Sequence, residues 1–538
     1  MVAPYNTPGV YVEEISTLPP SVAEISTAIP AFLGYTEKGP SIAAIRTMLE
    51  YEQLFGGPKL AQFTASIDAE GKVTELKRAA SDSSAAGAER LMYYAVSHYF
   101  KNGGGLCYIV RVGGYTEGPS VTHFENALKA LEKEDEPTLL VLTDAVNLAA
   151  TDYHALCDAA LAHCHKVGGR FAILDVQQGT VSSSADATAF RNGIGMNYLA
   201  YGAAYYPYLE TSLTYAYAES GVSLQPPYAS NITANSLRVS YAGTKKAPSV
   251  KVEVDTDADA VVAFAATDTE LTITVPAETK GSAVLTAWND WSGTKHGFSL
   301  AVAGSGKDVL AAKTVPVGPA FTLDSIKTSN TALYNQIKAS LAGQRIVLPP
   351  SAAVAGIYAS VDRDRGVWKA PANVSATAVV GPVVKLTDED QDSLNVDSTG
   401  GKSINAIRAF TGKGTMVWGA RTLAGNDNEW RYVPVRRLFS MIEESTKKAT
   451  SFAVFEPNDM TTWLKVKGMI ESFLYGLWER GALAGPAPAA AYFVNVGLGK
   501  TMTTQDVLEG RIIIEIGAAA VRPAEFIILR FSHKLQQA

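Results

Sequence analysis

The sequence predicts an α+β fold: a mixed α/β core, an inserted all-β domain, and extended β arms at the N- and C-termini. Three observations predict it. Both ends of the chain are short runs of branched and aromatic residues tied down by Pro or Gly. From about residue 85 to 210 helical and strand patterns alternate, which implies a sheet with crossover helices. Between about 215 and 325 helix formers thin out and Thr, Val, Ala and Gly dominate. The implied division is 1–22 as an N-terminal linking arm, 23–214 as an α/β segment, 215–325 as an inserted β-sandwich-like outer domain, 326–510 as a returning core segment, and 511–538 as a C-terminal linking strand.

The first arm, Thr7-Pro8-Gly9-Val10-Tyr11-Val12-Glu13-Glu14-Ile15, is punctuated by Pro4, Pro8, Pro19 and Pro20. Chain termini normally fray and carry small polar residues. A β-forming terminus instead has to pair, because an open strand edge recruits another chain. Val10, Tyr11, Val12, Glu13 and Ile15 are therefore expected to link one copy of the chain to another, as are Ile512, Ile513, Ile514, Phe526, Ile528 and Phe531 at the other end.

The elements between follow in order. Ala31-Phe32-Leu33-Gly34-Tyr35 reads as a buried strand. Ala88 to Lys101 is helical and stops at Asn102-Gly103-Gly104-Gly105. Cys107 to Val112 is a strand, Thr122 to Lys133 a helix, and Leu139 to Leu142 a buried strand. Asp152 to Val167 is a helix closed by Gly168-Gly169, and Phe171 to Val176 the next strand. In the outer region, Val250 to Asp255 and Leu271 to Val275 alternate strictly, with Trp288 and Trp291 flanking a turn. Surface loops tolerate such insertions at little cost. After about 330 the chain returns to mixed α/β, with helices at Val435 to Lys448 and Thr461 to Arg480, the latter capped by Asp459.

Composition bounds the function. A chain of 538 residues exceeds one ordinary core, and 47% hydrophobic residues supply several. A net charge of −7 argues against a nucleic-acid coat. Three cysteines, Cys107, Cys157 and Cys164, give no disulfide framework and fit a reducing compartment. The N-terminal residues lack the features of a secretory signal, and no apolar run is long enough for membrane insertion.

Several constellations suggest chemistry and fall short of it. Gly499-Lys500-Thr501 resembles the tail of a phosphate-binding loop, but the glycine required five residues before Gly499 is Val494. That predicts a β-turn and no nucleotide cofactor. His154, Cys157, His163, Cys164 and His165 point different ways around one helix, so packed cysteines and surface histidines are expected rather than a metal site. Asp362-Arg363-Asp364-Arg365-Gly366 carries its own neutralising cations and reads as a salt-bridged turn. Arg436-Arg437 and Lys447-Lys448 share a helix with Glu443 and Glu444, either as a solvated face or as a partner-facing one. No nucleophile elbow is present, and no catalytic residue, cofactor or metal ligand is singled out.

A set of motifs resembles the contractile tail sheath proteins of phage tails and phage-like injection particles. These are Pro8 to Glu14, Arg170 to Asp175, Ala204-Tyr205-Tyr206-Pro207, Pro349-Pro350-Ser351, Ala355 to Ala359, Asp362 to Asn373, Ile404 to Arg408, Val417 to Thr422, Trp430 to Arg437, Phe455-Glu456-Pro457-Asn458 and Pro523-Ala524-Glu525-Phe526. The 215–325 region has no part in the match. The resemblance implies a structural subunit that forms rings of six stacked helically around an inner tube, with baseplate and tail-terminator proteins as further partners. It implies contraction without nucleotide hydrolysis, driven by a metastable lattice, in a phage tail or extracellular particle made in the cytoplasm. It assigns the 326–510 segment to the inner tube, for which Lys447, Lys448, Lys465 and Lys467 are the expected contacts, since exposed charge pairs are weak enough to release. The competing reading is an α/β enzyme with a β-sandwich appendage, which would need a convergent acid/base or metal site. A surface adhesin is the third, resting on the inserted region alone.

Overall fold

The computed structural model describes residues 22–67, 72–79, 89–179, 183–225, 228–233, 235–241, 248–317, 322–328, 330–397, 399–526 and 528. Val10, Tyr11, Val12, Glu13, Ile15 and Phe531 lie outside the described residues.

A nine-stranded sheet organises the first body. Six strands run parallel in the order Cys107–Gly113, Pro30–Tyr35, Leu139–Leu142, Phe171–Asp175, Gly202–Tyr206 and Ile404–Phe410. Antiparallel strands close both edges: Ile42–Ile45 beside Cys107–Gly113, and Gly414–Val417 followed by Val374–Ser375 beside Ile404–Phe410. The central strands are apolar at nearly every position because helices cover both faces. Ala31, Leu33, Leu140, Leu174 and Tyr206 point to one face, against helices Val121–Leu131, Ala150–Val167 and Ser183–Gly193. Phe32, Ile109, Val141, Ile173 and Tyr205 point to the other, against Met92–Lys101 and Ser351–Arg365.

The last parallel strand arrives late. Ile404 pairs with Ala204, so the chain leaves the sheet after Tyr206 and returns nearly two hundred residues later to continue it. Much of that excursion builds a second hydrophobic core from Val222, Val239, Val252, Ile273, Phe298 and Ile337. Its four-stranded sheet is mixed, with Ser249–Asp255 parallel to Glu270–Pro276. The strand-rich reading of this region needs two amendments. Gly281–Asp290 is a helix burying Val284 and Trp288, so Trp288 and Trp291 flank a helix end rather than a turn. The body also takes two strands from the earlier segment, Phe63–Ile67 and Val73–Arg78, the first lying parallel to Val222–Gln225. Neither feature is visible locally: Gly-Ser-Ala-Val-Leu-Thr-Ala-Trp suits a helix only once one face is covered.

The third core joins helix Val433–Ala449, helix Met460–Glu479 and the hairpin Tyr492–Val496/Ile514–Ala518 through Leu438, Ile442, Val466, Ile470, Leu474 and Val494. Asp459 caps the longer helix, accepting from Thr462 N at 3.0 Å.

Two carboxylates sit wholly inside the first body at the carboxyl ends of parallel strands. Asp175 accepts from Ser351 N at 2.8 Å and Ser351 Oγ at 2.6 Å, locking the start of helix Ser351–Arg365 to the sheet. Burial pushes its pKa up to about 7, against the opposing pull of the Ser351 bonds. Burial likewise raises Asp144 to about 6. The native state thus holds protons that the unfolded chain releases near pH 4, and the stability these two carboxyls contribute declines as pH rises from about 4 to about 7, while the buried His98 and His163, lowered to about 4, contribute in the opposite sense. Asp175→Asn should flatten that decline, leaving the smaller contribution of Asp144. Urea midpoints at pH 5 and pH 7.5 check this; equal pH dependence in both proteins would contradict it.

Candidate assembly interface

Several of the motif residues make contacts with the first and last described segments of the chain. Residues 24–29 lie across helix Val433–Ala449 and the end of helix Ser351–Arg365. Ile25 N donates to Ser445 Oγ at 3.2 Å, and Glu24 pairs with Arg480. Arg437 bridges the crossing: its Nη1 donates to Asp362 Oδ1 at 3.0 Å and its Nη2 to the Thr27 carbonyl at 3.0 Å. Thr27 Oγ1 donates to the same carboxylate. Only 3% of the Arg437 side chain and 7% of the Asp362 side chain are exposed, and the guanidinium also stacks over Tyr358 at 4.5 Å. Tyr358 OH meets Tyr205 OH at 2.7 Å inside the sheet's covered face. Removing one partner of a buried pair of this kind costs roughly 3–5 kcal/mol, because the other charge is left uncompensated.

The other terminus has a matching anchor. Glu525 takes Arg421 bidentately, with Nε to Oε1 at 2.9 Å and Nη2 to Oε2 at 2.5 Å, and Tyr432 OH at 3.4 Å. Arg421 is itself held by its backbone N–H donating to Asn405 Oδ1 at 2.8 Å and by Nη1 donating to the Asn395 carbonyl. Asn405 Nδ2 in turn donates to the Ala204 and Arg421 carbonyls. Beyond this anchor Phe526 and Ile528 are 73% and 77% exposed.

Of the expected C-terminal linking residues, Ile512 and Ile513 precede the hairpin and Ile514 opens its second strand, paired with Val496. The chain's own hairpin therefore ends at Ala518, before Glu525. Among the described residues the hairpin has no third strand, and Phe493 on it is 49% exposed. A two-stranded ribbon is marginal alone; here the helix Met460–Glu479 supports it through Val494.

The basic helix face is corrected in part. Arg436 and Arg437 are both 4% exposed rather than solvated. Arg436 pairs with Glu443 at 2.8 Å and lies over Trp430 at 4.3 Å. The reason is tertiary: the partners come from other elements or two turns along the helix. Asp362 belongs to the last turn of a helix, not to a turn. Lys447 is exposed and reaches Glu444 at 3.2 Å, while Lys467 reaches Glu471 at 3.5 Å. Lys448 and Lys465 are exposed, with no acidic partner among the described residues. Lys447 and Lys448 line a cavity of about 430 Å³ beside Ile25, Gly169 and Glu444.

The other constellations resolve into packing. Cys157 and Cys164 are buried two turns apart on the core-facing stripe of Ala150–Val167, and burial raises both thiols, Cys164 to about 12. His163 faces Arg170 Nη1 at 2.6 Å; burial and that guanidinium lower its pKa to about 4. His165 stacks on Tyr198 with ring centroids 4.3 Å apart. Among the described residues no three His, Cys, Asp or Glu side chains are grouped to hold a metal ion. Gly497 to Thr501 forms a tight turn, with Thr501 N donating to the Gly497 carbonyl at 3.1 Å. No described helix is long and apolar enough to cross a membrane.

Residues 425–534, which hold the hairpin, both helices and the Glu525 anchor, match the phage tail sheath C-terminal domain family. The chain is 25% identical over 136 residues to the tail sheath protein of Vibrio phage KVP40, covering 25% of this chain and 20% of that protein, so it spans about a fifth of that relative's length. Its fold resembles chains solved in the anti-feeding prophage baseplate (28% identity, 99% of this chain and 100% of that one, TM-score 0.56). It equally resembles a chain of the PVC extracellular contractile injection system sheath complex in its contracted state (28% identity, 99% of both chains, TM-score 0.56). Residues 425–534 thus carry the phage tail sheath C-terminal domain, and the fold as a whole is similar to chains of contractile baseplate and sheath assemblies.

Proposed function

We propose that this chain is the structural sheath subunit of a contractile tail or injection particle. It polymerises helically through its terminal arms, in rings of six around an inner tube, and contracts without hydrolysing nucleotide. The observation that carries the reading is the anchoring of the chain beside each of the two arms. The described residues next to the arms are held to the body by arginine–carboxylate pairs, Arg437–Asp362 in the interior and Arg421–Glu525 nearer the surface, and among the described residues the hairpin Tyr492–Val496/Ile514–Ala518 has no third strand. An arm from a neighbour laid along that hairpin gains a ladder of backbone bonds, each netting about 0.5–1.5 kcal/mol. The clamps keep the link's strain on the arm itself, so bodies can rotate while links stay closed. Head-to-tail contacts of this type propagate as a helix rather than closing on themselves.

The energy of contraction is stored in the lattice. A metastable extended array collapses when one end is triggered, as baseplate contact would do. The role read here is structural, in keeping with the sheath and baseplate chains that this fold resembles. The tube contact has to release, which suits exposed lysines such as Lys448 and Lys465 together with the weakly paired Lys447 and Lys467. Baseplate and tail-terminator proteins complete the set of partners.

Deleting residues 1–20, or 526–538, should leave a folded monomer that no longer polymerises, read by sedimentation and negative-stain microscopy; tubes formed by either truncation would defeat the linkage. The cut at 526 spares the chain's own hairpin. Arg421→Ala should leave the body folded but weaken polymers by loosening the tail root, with a dissociation rate at least about tenfold higher. Reversing Lys447, Lys448, Lys465 and Lys467 to Glu should abolish co-assembly with tube while sheath-only polymers persist; unchanged co-assembly removes these lysines from the tube contact.

A further inference from the structure

Helix Val433–Ala449 is fastened to both of the anchors described above. Its start is set on the C-terminal side. Val433 N donates to the Ala420 carbonyl at 3.0 Å, and Arg421 and Tyr432 are bridged as an antiparallel pair. Arg421 grips Glu525, and Tyr432 OH reaches the same carboxylate at 3.4 Å. Further along, the same helix holds the N-terminal side. Arg437 takes Asp362 and the Thr27 carbonyl, and Ser445 Oγ accepts from Ile25 N at 3.2 Å. At about 1.5 Å of rise per residue, Arg437 lies about 8 Å along the axis from Tyr432.

The anchors are joined a second time through the central sheet. Arg437 lies over Tyr358 at 4.5 Å, and Tyr358 OH meets Tyr205 OH at 2.7 Å. Tyr205 stands opposite Asn405 in the parallel register, and the Asn405 side chain bonds the Arg421 backbone at both its N–H and its carbonyl. The contacts close a ring that runs from Arg437 through the sheet to Arg421 and returns along the helix. Arg421, Arg437, Tyr358, Tyr205 and Asn405 are all buried. Packed, hydrogen-bonded interiors of this kind shift between discrete arrangements rather than deform gradually.

We propose that helix Val433–Ala449 couples the two anchors, so that loosening the chain at Asp362–Arg437 loosens it at Arg421–Glu525, and the reverse. Coupling between two sites is reciprocal, which makes the claim testable from either end. The coupling is a property of the folded single chain. Its use rests on the sheath reading: an arm engaged at one end of a subunit firms the anchor at the other.

Hydrogen–deuterium exchange of the unpolymerised full-length chain tests this, read on peptides spanning 22–29 and 419–433. Thr27→Val removes one hydroxyl from the N-terminal anchor, and Asp362→Asn removes its charge; Glu525→Gln loosens the C-terminal anchor. The expected result is exchange at 419–433 at least about fivefold faster in Asp362→Asn, with a smaller rise in Thr27→Val, and a comparable acceleration at 22–29 in Glu525→Gln. Strands Leu139–Leu142 and Phe171–Asp175 serve as the reference and should exchange as in wild type. Acceleration confined to the mutated anchor overturns the inference. An equal rise in the reference strands also overturns it, because the whole body is then opening. Neither result bears on polymer formation, so the sheath reading stands or falls separately, on the truncations.

Discussion

The parallel register of Ile404 with Ala204 is the constraint on which the rest of the molecule depends. It brings two parts of the chain separated by about two hundred residues into adjacent strands, and a parallel pair of that kind requires a long connection. The connection here carries much of the second body. The return also fixes Asn405, whose side chain bonds both the Ala204 carbonyl and the backbone of Arg421. Arg421 then reaches Glu525, so the position of the C-terminal tail is set by the edge of the central sheet. A fold built this way ties Glu525 to a defined point at the edge of the central sheet.

The N-terminal root obeys the same logic through different residues. Arg437 on one helix, Asp362 on another and the Thr27 carbonyl meet in a buried triad. Buried ion pairs add little net stability, since desolvation offsets attraction, but they are strict about geometry. That suits a joint whose purpose is direction. Around it the packing is looser: cavities of about 470 and 430 Å³ flank residues 24–29. Polar contacts at Glu24, Ile25, Thr27 and Ile29 fix this segment between the two cavities.

The two raised carboxylates of the central sheet are engaged by the fold itself. Asp175 and Asp144 have raised pKa values and stand at the carboxyl ends of parallel strands, where ligands bind in many open α/β sheets. Here Ser351 and the backbone of Tyr35 and Leu91 occupy their oxygens. A perturbed carboxylate saturated by its own fold is a structural clasp.

The sequence by itself determined the local elements. The helices at Met92–Lys101, Ala150–Val167, Val433–Ala449 and Met460–Glu479 follow from apolar spacing and from caps such as Asp459, and the buried strands follow from short branched runs, because these preferences are local. The motifs already pointed to the family whose C-terminal domain residues 425–534 match. Only the tertiary structure decided which elements share a core. Strands Phe63–Ile67 and Val73–Arg78 join the second body, Arg436 and Arg437 are buried, Ile514 serves its own hairpin, and Glu525 meets Arg421 across a separation of 104 residues. Those pairings are contacts between distant segments whose geometry no local pattern encodes, since a charged residue reads as solvated until a partner from another element removes it from water.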